Sequence, residues 1–277
     1  MDFATKYGPW AMVAGASDGV GAAFAAAVAR RGVSVLLLAR RQAALDEVAD
    51  QIRAESGVEV RAVAVDLAKP SAMATVAEAT DGLEVGLLMY CAGADADYVP
   101  FLANEVDAAR SMLHRNCVVP TEMCHHLAAP MVDRGRGGII LVSSAAAFAG
   151  GPNMAVYAGT KAFDMVFAEA LWAELHGQGV DVLSLVLGET DTPALRRLRA
   201  ERGEVDDPDA PLPGAATVDE VVADAIGYLA EGPTRIVGAH LREAAKLLGG
   251  MSRNGAVGFM VQAAESTMGK GNAEVEG

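Results

Sequence analysis

Trp10-Ala11-Met12-Val13-Ala14-Gly15-Ala16-Ser17-Asp18-Gly19-Val20-Gly21 begins as an apolar run, passes through three glycines and leads into an alanine-rich stretch. The five leading residues read as a buried strand, and the stretch that follows reads as a helix. Between them, Gly15 permits a tight turn and Gly19 lets the backbone come close to a pyrophosphate. Gly21 lets the helix pack closely on the strand, while the helix N-terminus offers unpaired N–H groups to an anion. The spacing is Gly-x-x-x-Gly-x-Gly, a relative of the dinucleotide fingerprint. A turn with only a structural duty needs fewer glycines. The unit is therefore expected to bind a nucleotide.

Outward from this unit, short apolar runs alternate with longer amphipathic ones. Residues 10–14, 33–39, 58–65, 85–90, 138–142, 180–187 and 235–237 read as strands. Residues 20–31, 42–56, 71–80, 105–133, 157–176 and 218–230 read as helices. Alternation of this kind predicts a doubly wound, Rossmann-type parallel sheet of about seven strands with helices on both faces. Right-handed crossovers then gather the strand C-termini along one edge, where ligands bind. One domain is expected over residues 1–277.

The end of the second strand should select the nucleotide. A carboxylate there, ~20 residues after the glycines, would hold a ribose 2′-hydroxyl. The chain instead has Ala39-Arg40-Arg41. Guanidinium groups suit a phosphate, so NADP (NADPH) is expected over NAD. Asp18 works against this by placing negative charge in the glycine turn.

A second informative stretch runs from Ser143 to Lys161. It follows the apolar run Gly138–Val142 and is broken by Gly150-Gly151-Pro152 before a helical pattern starts at Tyr157. Tyr157 and Lys161 are four residues apart, so they share a helix face with about 6 Å of axial rise between them. A phenol alone titrates too high to exchange protons at neutral pH, and an ammonium ~4 Å away stabilises the phenolate. Ser144, at the end of the preceding strand, could hold a carbonyl oxygen beside that phenol. Tyr157, Lys161 and Ser144 are thus the expected catalytic group.

Bulk composition excludes other classes. A net charge of −14 disfavours binding to a phosphate backbone, so no nucleic-acid partner is expected. Cys91, Cys117 and Cys124 form no CxxC pair and fit free thiols in a reducing compartment. His125 and His126 are adjacent, so they diverge on a helix; no metal is expected, with one histidine on the surface and one packed. Neither a secretory leader nor a run long enough to cross a bilayer is visible, so a soluble, cytoplasmic protein is expected.

The glycine turn, Ser144, Tyr157 and Lys161 together resemble the short-chain dehydrogenase/reductase family in its compact form, over roughly Tyr7 to Gly238. That resemblance implies an NAD(P)-dependent oxidoreductase that interconverts a ketone and a secondary alcohol. Tyr157 would act as proton donor and acceptor, Ser144 would polarise the oxygen, and Lys161 would stabilise phenolate and contact ribose. Asn116 matches the helix asparagine that supports a proton relay to the lysine. For the cofactor, the resemblance implies contacts from Gly15, Ser17, Asp18, Gly19, Val20, Gly21, Arg40 and Arg41. It adds Asp66 and Leu67 at the adenine, with Ala92 and Gly93 after the fourth strand. Gly188, Thr190 and Thr192 complete the set beside Tyr157 and Lys161, Thr192 bonding the carboxamide. The sequence departs from the family at Tyr90-Cys91, where two asparagines are usual, and at Leu187, where proline is usual.

Residues 194–216, rich in arginine, aspartate and proline, fall where the family carries a substrate lid, and their arginine run reads as a solvated helix face balanced by acidic neighbours. Residues 240–277 are an extension that could cap the cleft or join a subunit contact, with disorder expected from Gly269 onward. Ala94, Ala145, Ala146, Phe148 and Met154 are expected to line an apolar pocket. The likeness to steroid and long-chain 3-oxoacyl enzymes implies a small hydrophobic carbonyl or alcohol substrate. Dimers or tetramers are expected, with contacts through the helices that carry Asn116 and Tyr157. Two alternatives stand: a non-catalytic NADP-binding regulator, and a nucleotide-sugar epimerase or dehydratase.

Overall fold

The computed structural model describes residues 1–94 and 98–268. The expected disorder from Gly269 lies outside the described residues.

A short helix α1 (Phe3–Tyr7) precedes β1 (Trp10–Ala14), α2 (Gly19–Ala29), β2 (Ser34–Ala39), α3 (Gln42–Ser56) and β3 (Val60–Ala64). Next come α4 (Ala72–Thr80), β4 (Val85–Tyr90), α5 (Val106–Leu113), α6 (Val119–Arg134), β5 (Gly137–Ser144) and α7 (Ala155–Leu175). The chain continues with β6 (Val180–Leu187), β7 (Thr190–Asp191), α8 (Pro193–Glu201), β8 (Ala216–Thr217), α9 (Val218–Tyr228) and β9 (Thr234–Ile236). Helices α10 (Ala239–Gly249) and α11 (Arg253–Met268) end it.

Seven strands form one parallel sheet in the order β3-β2-β1-β4-β5-β6-β9. The expected doubly wound α/β fold is the observed one. Alternate strand residues enter opposite cores: Val35 and Leu37 pack under α2, α3 and α9, while Leu36 and Leu38 pack under α4, α6 and α7. With both faces covered, each side of a strand must be apolar, which is why these strands read as unbroken apolar runs. The winding reverses between β1 and β4, opening a crevice at their C-terminal ends.

The helix expected over residues 105–133 is divided. A π-helical turn, His114–Val118, joins α5 to α6 and carries Asn116. Pro120, at the start of α6, has no N–H for the carbonyl of Asn116 four residues earlier, so a regular α-helical register is not available there.

The arginine run that opens the polar 194–216 segment lies on α8, in keeping with its reading as a solvated helix face. Pro193 opens that helix and Thr192 caps it by accepting from the Leu195 amide at 3.2 Å. Pairing of β7 with β8 ties the two ends of the segment together. The extension packs beside the loops of the crevice. Leu241 of α10 lies against Gly188, Met260 of α11 lies beside Gly151, and the Arg253 guanidinium donates to the Phe148 carbonyl at 2.6 Å.

Candidate active site

The glycine turn builds the first wall of the crevice. Gly15 has φ +90°, and a Cβ there would stand 2.9 Å from the Ala92 amide nitrogen, so β1 and the end of β4 meet without a side chain between them. A Cβ on Gly21 would fall 2.2 Å from the Gly15 carbonyl oxygen, which only glycine tolerates. The crevice beyond holds about 300 Å³ and is lined by Gly15, Ser17, Arg40, Arg41, Asp66, Leu67, Ala92 and Gly93, together with Arg115. These residues fit the adenosine half of a dinucleotide: glycine backbone on one side, two exposed arginines on another.

Val20 is buried in the first turn of α2, behind this surface. Gly19 faces the far wall, where its Cβ position lies 3.0 Å from the Thr192 methyl carbon. Thr190 is buried and donates to the Gly188 carbonyl at 3.4 Å, and Gly188 lies beside Leu241. Gly188, Thr190 and Thr192 thus form the rim opposite the glycine turn.

Asp18 has two partners. Its carboxylate accepts from the Gly19 amide at 2.7 Å, capping α2, and pairs with Arg197 of α8 at 2.6 Å. The negative charge that the sequence placed in the turn is offset by a cation from a segment 179 residues away. Nothing local could have indicated it.

The other expected residues lie on β5, the π turn and α7. Ser144 ends β5 and caps a 3-10 turn, Ala145–Ala147, by accepting from the Ala146 amide at 3.2 Å. The neighbouring Ser143 is buried and donates to the Lys161 carbonyl at 2.7 Å, locking α7 onto β5. Asn116, fully buried, donates to Thr160 Oγ1 at 3.0 Å and to the Gly93 carbonyl at 3.3 Å, while Arg115 Nε donates to its Oδ1 at 3.0 Å. The Gly93 Cβ position lies 3.0 Å from Asn116 Oδ1 and 3.1 Å from Lys161 Nζ. Asn116 and Lys161 therefore flank a residue of the crevice wall.

Lys161 differs from the expectation in its nearest partners. Its ammonium donates to the Val142 carbonyl and to Asp164 Oδ2, each at 2.9 Å, and stands 6.0 Å from the centre of the Tyr157 ring. A buried ammonium needs acceptors and a counter-charge, and these two supply both. Asp164, Arg115 and Arg197 were missed from sequence. Asp164 alone left a signal, because three residues beyond Lys161 on a helix is the same face.

Tyr157 is half-buried and lines a second cavity of about 700 Å³, walled by Val99, Phe101, Leu102, Val106, Met112 and Met154 among others. Ala94 and Met154 line it as expected, but Ala145, Ala146 and Phe148 do not. Their 3-10 turn packs against α7 instead, and residues 99–112 take their place. Arg40 and Arg115 border both cavities, marking where the two meet.

Tyr90, one of the two departures after β4, is buried and donates its hydroxyl to the Arg115 carbonyl, tying β4 to the π turn. Burial pushes the Cys91 and Cys117 thiols up to about 11 each, with Asp164 adding to the rise at Cys117, so both are inert at neutral pH. All three cysteines are free. His125 and His126 are both exposed, correcting the expectation that one is packed; His126 Nε2 lies 3.0 Å from Thr80 Oγ1. No cluster able to hold a metal occurs among the described residues. Among them, no helix is long and apolar enough to cross a membrane.

A parallel sheet with a glycine turn at its switch point is the frame of a dinucleotide-binding class of proteins. Residues 9–203 match the short chain dehydrogenase family, and the chain belongs to it. It is 33% identical over 258 residues to a 7beta-hydroxysteroid dehydrogenase of Clostridium sardiniense, covering 92% of this chain and 95% of that protein. Among solved structures, one from a study of 7beta-hydroxysteroid dehydrogenase stereoselectivity superposes with a TM-score of 0.85 at 30% identity, covering 94% of this chain and 99% of the other. A short-chain dehydrogenase from Sphingobium yanoikuyae in complex with NADPH gives 0.75 at 26% identity, covering 97% and 98%.

Proposed function

We propose that this enzyme is an NADP(H)-dependent oxidoreductase that interconverts a hydrophobic ketone and its secondary alcohol, with a steroid-like substrate favoured. The observation that carries the reading is the position of Gly93. It lines the crevice shared by Gly15 and Arg40 while touching the positions of Asn116 and Lys161, so the proton-handling side chains abut the nucleotide site. Arg40 and Arg41 at that site favour a 2′-phosphate, in keeping with the NADPH complex of a relative.

When bound, the dinucleotide supplies or accepts the hydride. The chain's own residues manage binding, orientation and the proton. The glycine turn receives the pyrophosphate, Arg40 and Arg41 the 2′-phosphate, Asp66 and Leu67 the adenine, and Thr192 the carboxamide. In the reducing direction Tyr157 delivers its hydroxyl proton to the substrate oxygen, and Ser144 donates a hydrogen bond to that oxygen. Lys161 stabilises the phenolate left behind, and Asn116 anchors the path that restores the proton.

The apolar walls and volume of the second cavity suit a rigid polycyclic substrate, in line with the hydroxysteroid relative. Residues 194–216 serve as the movable cover. Leu113, Val118, Phe163 and Val166 form exposed apolar positions on α5, the π turn and α7, and suit a homodimer or tetramer contact. The free thiols suit a reducing cytoplasm. NADPH oxidation tested against oxosteroids, 3-oxoacyl thioesters and sugars decides the substrate. Turnover of oxosteroids is expected; turnover of sugars alone overturns the apolar-substrate reading.

A further inference from the structure

Lys161 has a partner outside the serine, tyrosine, lysine and asparagine set. Asp164, three residues further along α7, is 3% exposed, and one of its oxygens receives the Lys161 ammonium at 2.9 Å. The other oxygen, Oδ1, has no hydrogen-bond partner. Burial raises the Asp164 carboxyl above its ordinary range, and the Lys161 cation acts against that rise. The groups that face it from other elements are Tyr90 of β4, Cys117 of the π turn and Cys124 of α6. All three are pushed up by burial and stay neutral at neutral pH, which leaves Lys161 as the counter-charge.

A buried carboxylate with one oxygen orphaned costs stability, and apolar residues in place of both it and its cation would fill the space more cheaply. Its location accounts for it. The ammonium it holds sits at the back of the crevice, beside Gly93, with one N–H left after Val142 and Asp164 take two. We propose that Asp164 is a positioning residue for Lys161, anchoring the ammonium as a charged donor whose remaining N–H serves the cofactor ribose. The inference rests on the proposed contact between Lys161 and that ribose.

The probe is NADPH alone, its binding followed by fluorescence. Asp164→Asn keeps an acceptor for Nζ but removes the counter-charge that anchors the ammonium. The variant should bind NADPH about tenfold more weakly than wild type, since one lost charge-assisted contact is worth about that factor. In a Lys161→Met background the same change should have no effect. Equal affinities for wild type and Asp164→Asn overturn the inference, and so does an equal loss in the Lys161→Met background.

If Asp164→Asn does not fold, thermal melts of Lys161→Met and Lys161→Met/Asp164→Leu decide. The double variant melting higher supports a carboxylate dedicated to that cation; equal melts overturn it. Near-normal turnover in Tyr157→Phe would defeat the proposed mechanism while leaving these affinities unchanged, so the two failures are distinguishable.

Discussion

Arg197 of α8 and Asp18 of the glycine turn form a 2.6 Å charge pair that joins the 194–216 segment to the place where a pyrophosphate would dock. The Asp18 carboxylate already occupies the Gly19 amide, a position an incoming phosphate oxygen would compete for. Arg197 offsets the repulsion. Arg197→Ala should weaken NADPH binding about fivefold, the scale of one partly exposed ion pair, and Asp18→Asn on top of it should restore affinity. Calorimetric titration reads both; an unchanged affinity in Arg197→Ala removes the electrostatic role.

Arg40 and Arg41 border the crevice at the glycine turn, and the structure gives neither a salt-bridge partner among the described residues. Replacing both with alanine should lower the preference for NADPH over NADH by at least about tenfold, because charge-assisted contacts to phosphate are worth roughly 1.5–3 kcal/mol each. NADH affinity should hardly change. An equal loss for both nucleotides would mean that the arginines shape the crevice without reading the phosphate.

Hydrogen bonds from the Arg196 guanidinium, at 2.6 and 2.7 Å, hold the Asp191 carboxyl below its ordinary range. A carboxylate whose pKa is depressed by folding adds stability that is present above its unfolded value and lost as pH falls through its folded value. Arg196→Ala should therefore melt below wild type at neutral pH, and the gap should close below the ordinary aspartate range. A gap that persists unchanged into acid would assign the loss to packing.

The sheet was legible because its strands are buried on both faces, and residues 10–14, 85–90 and 180–187 match the observed β1, β4 and β6 to the residue. The glycine turn was legible for a related reason, since Gly15 and Gly21 stand where no Cβ fits. Division of the long α5–α6 helix escaped a periodicity reading, although Pro120 was its visible cause. The cavity wall at residues 99–112 was missed because its apolar side chains follow neither a 3.6- nor a 2-residue period through the loop before α5. Arg197 at Asp18 depends on tertiary placement, whereas Arg115 and Asn116 are chain neighbours whose bond forms within the π turn. Asp164 could have been read from its spacing to Lys161, but a lone aspartate on a helix is usually a solvated one.

The most direct measurement compares Tyr157→Phe with wild type for NADPH affinity and for single-turnover reduction of an oxosteroid. Removing the hydroxyl takes away the proton donor and leaves the ring that lines the apolar cavity. The expected result is NADPH affinity within about twofold of wild type and turnover lower by about 10²–10⁴-fold, the range for loss of a general acid. Turnover near the wild-type rate would contradict the assignment of Tyr157 as the group that carries the proton.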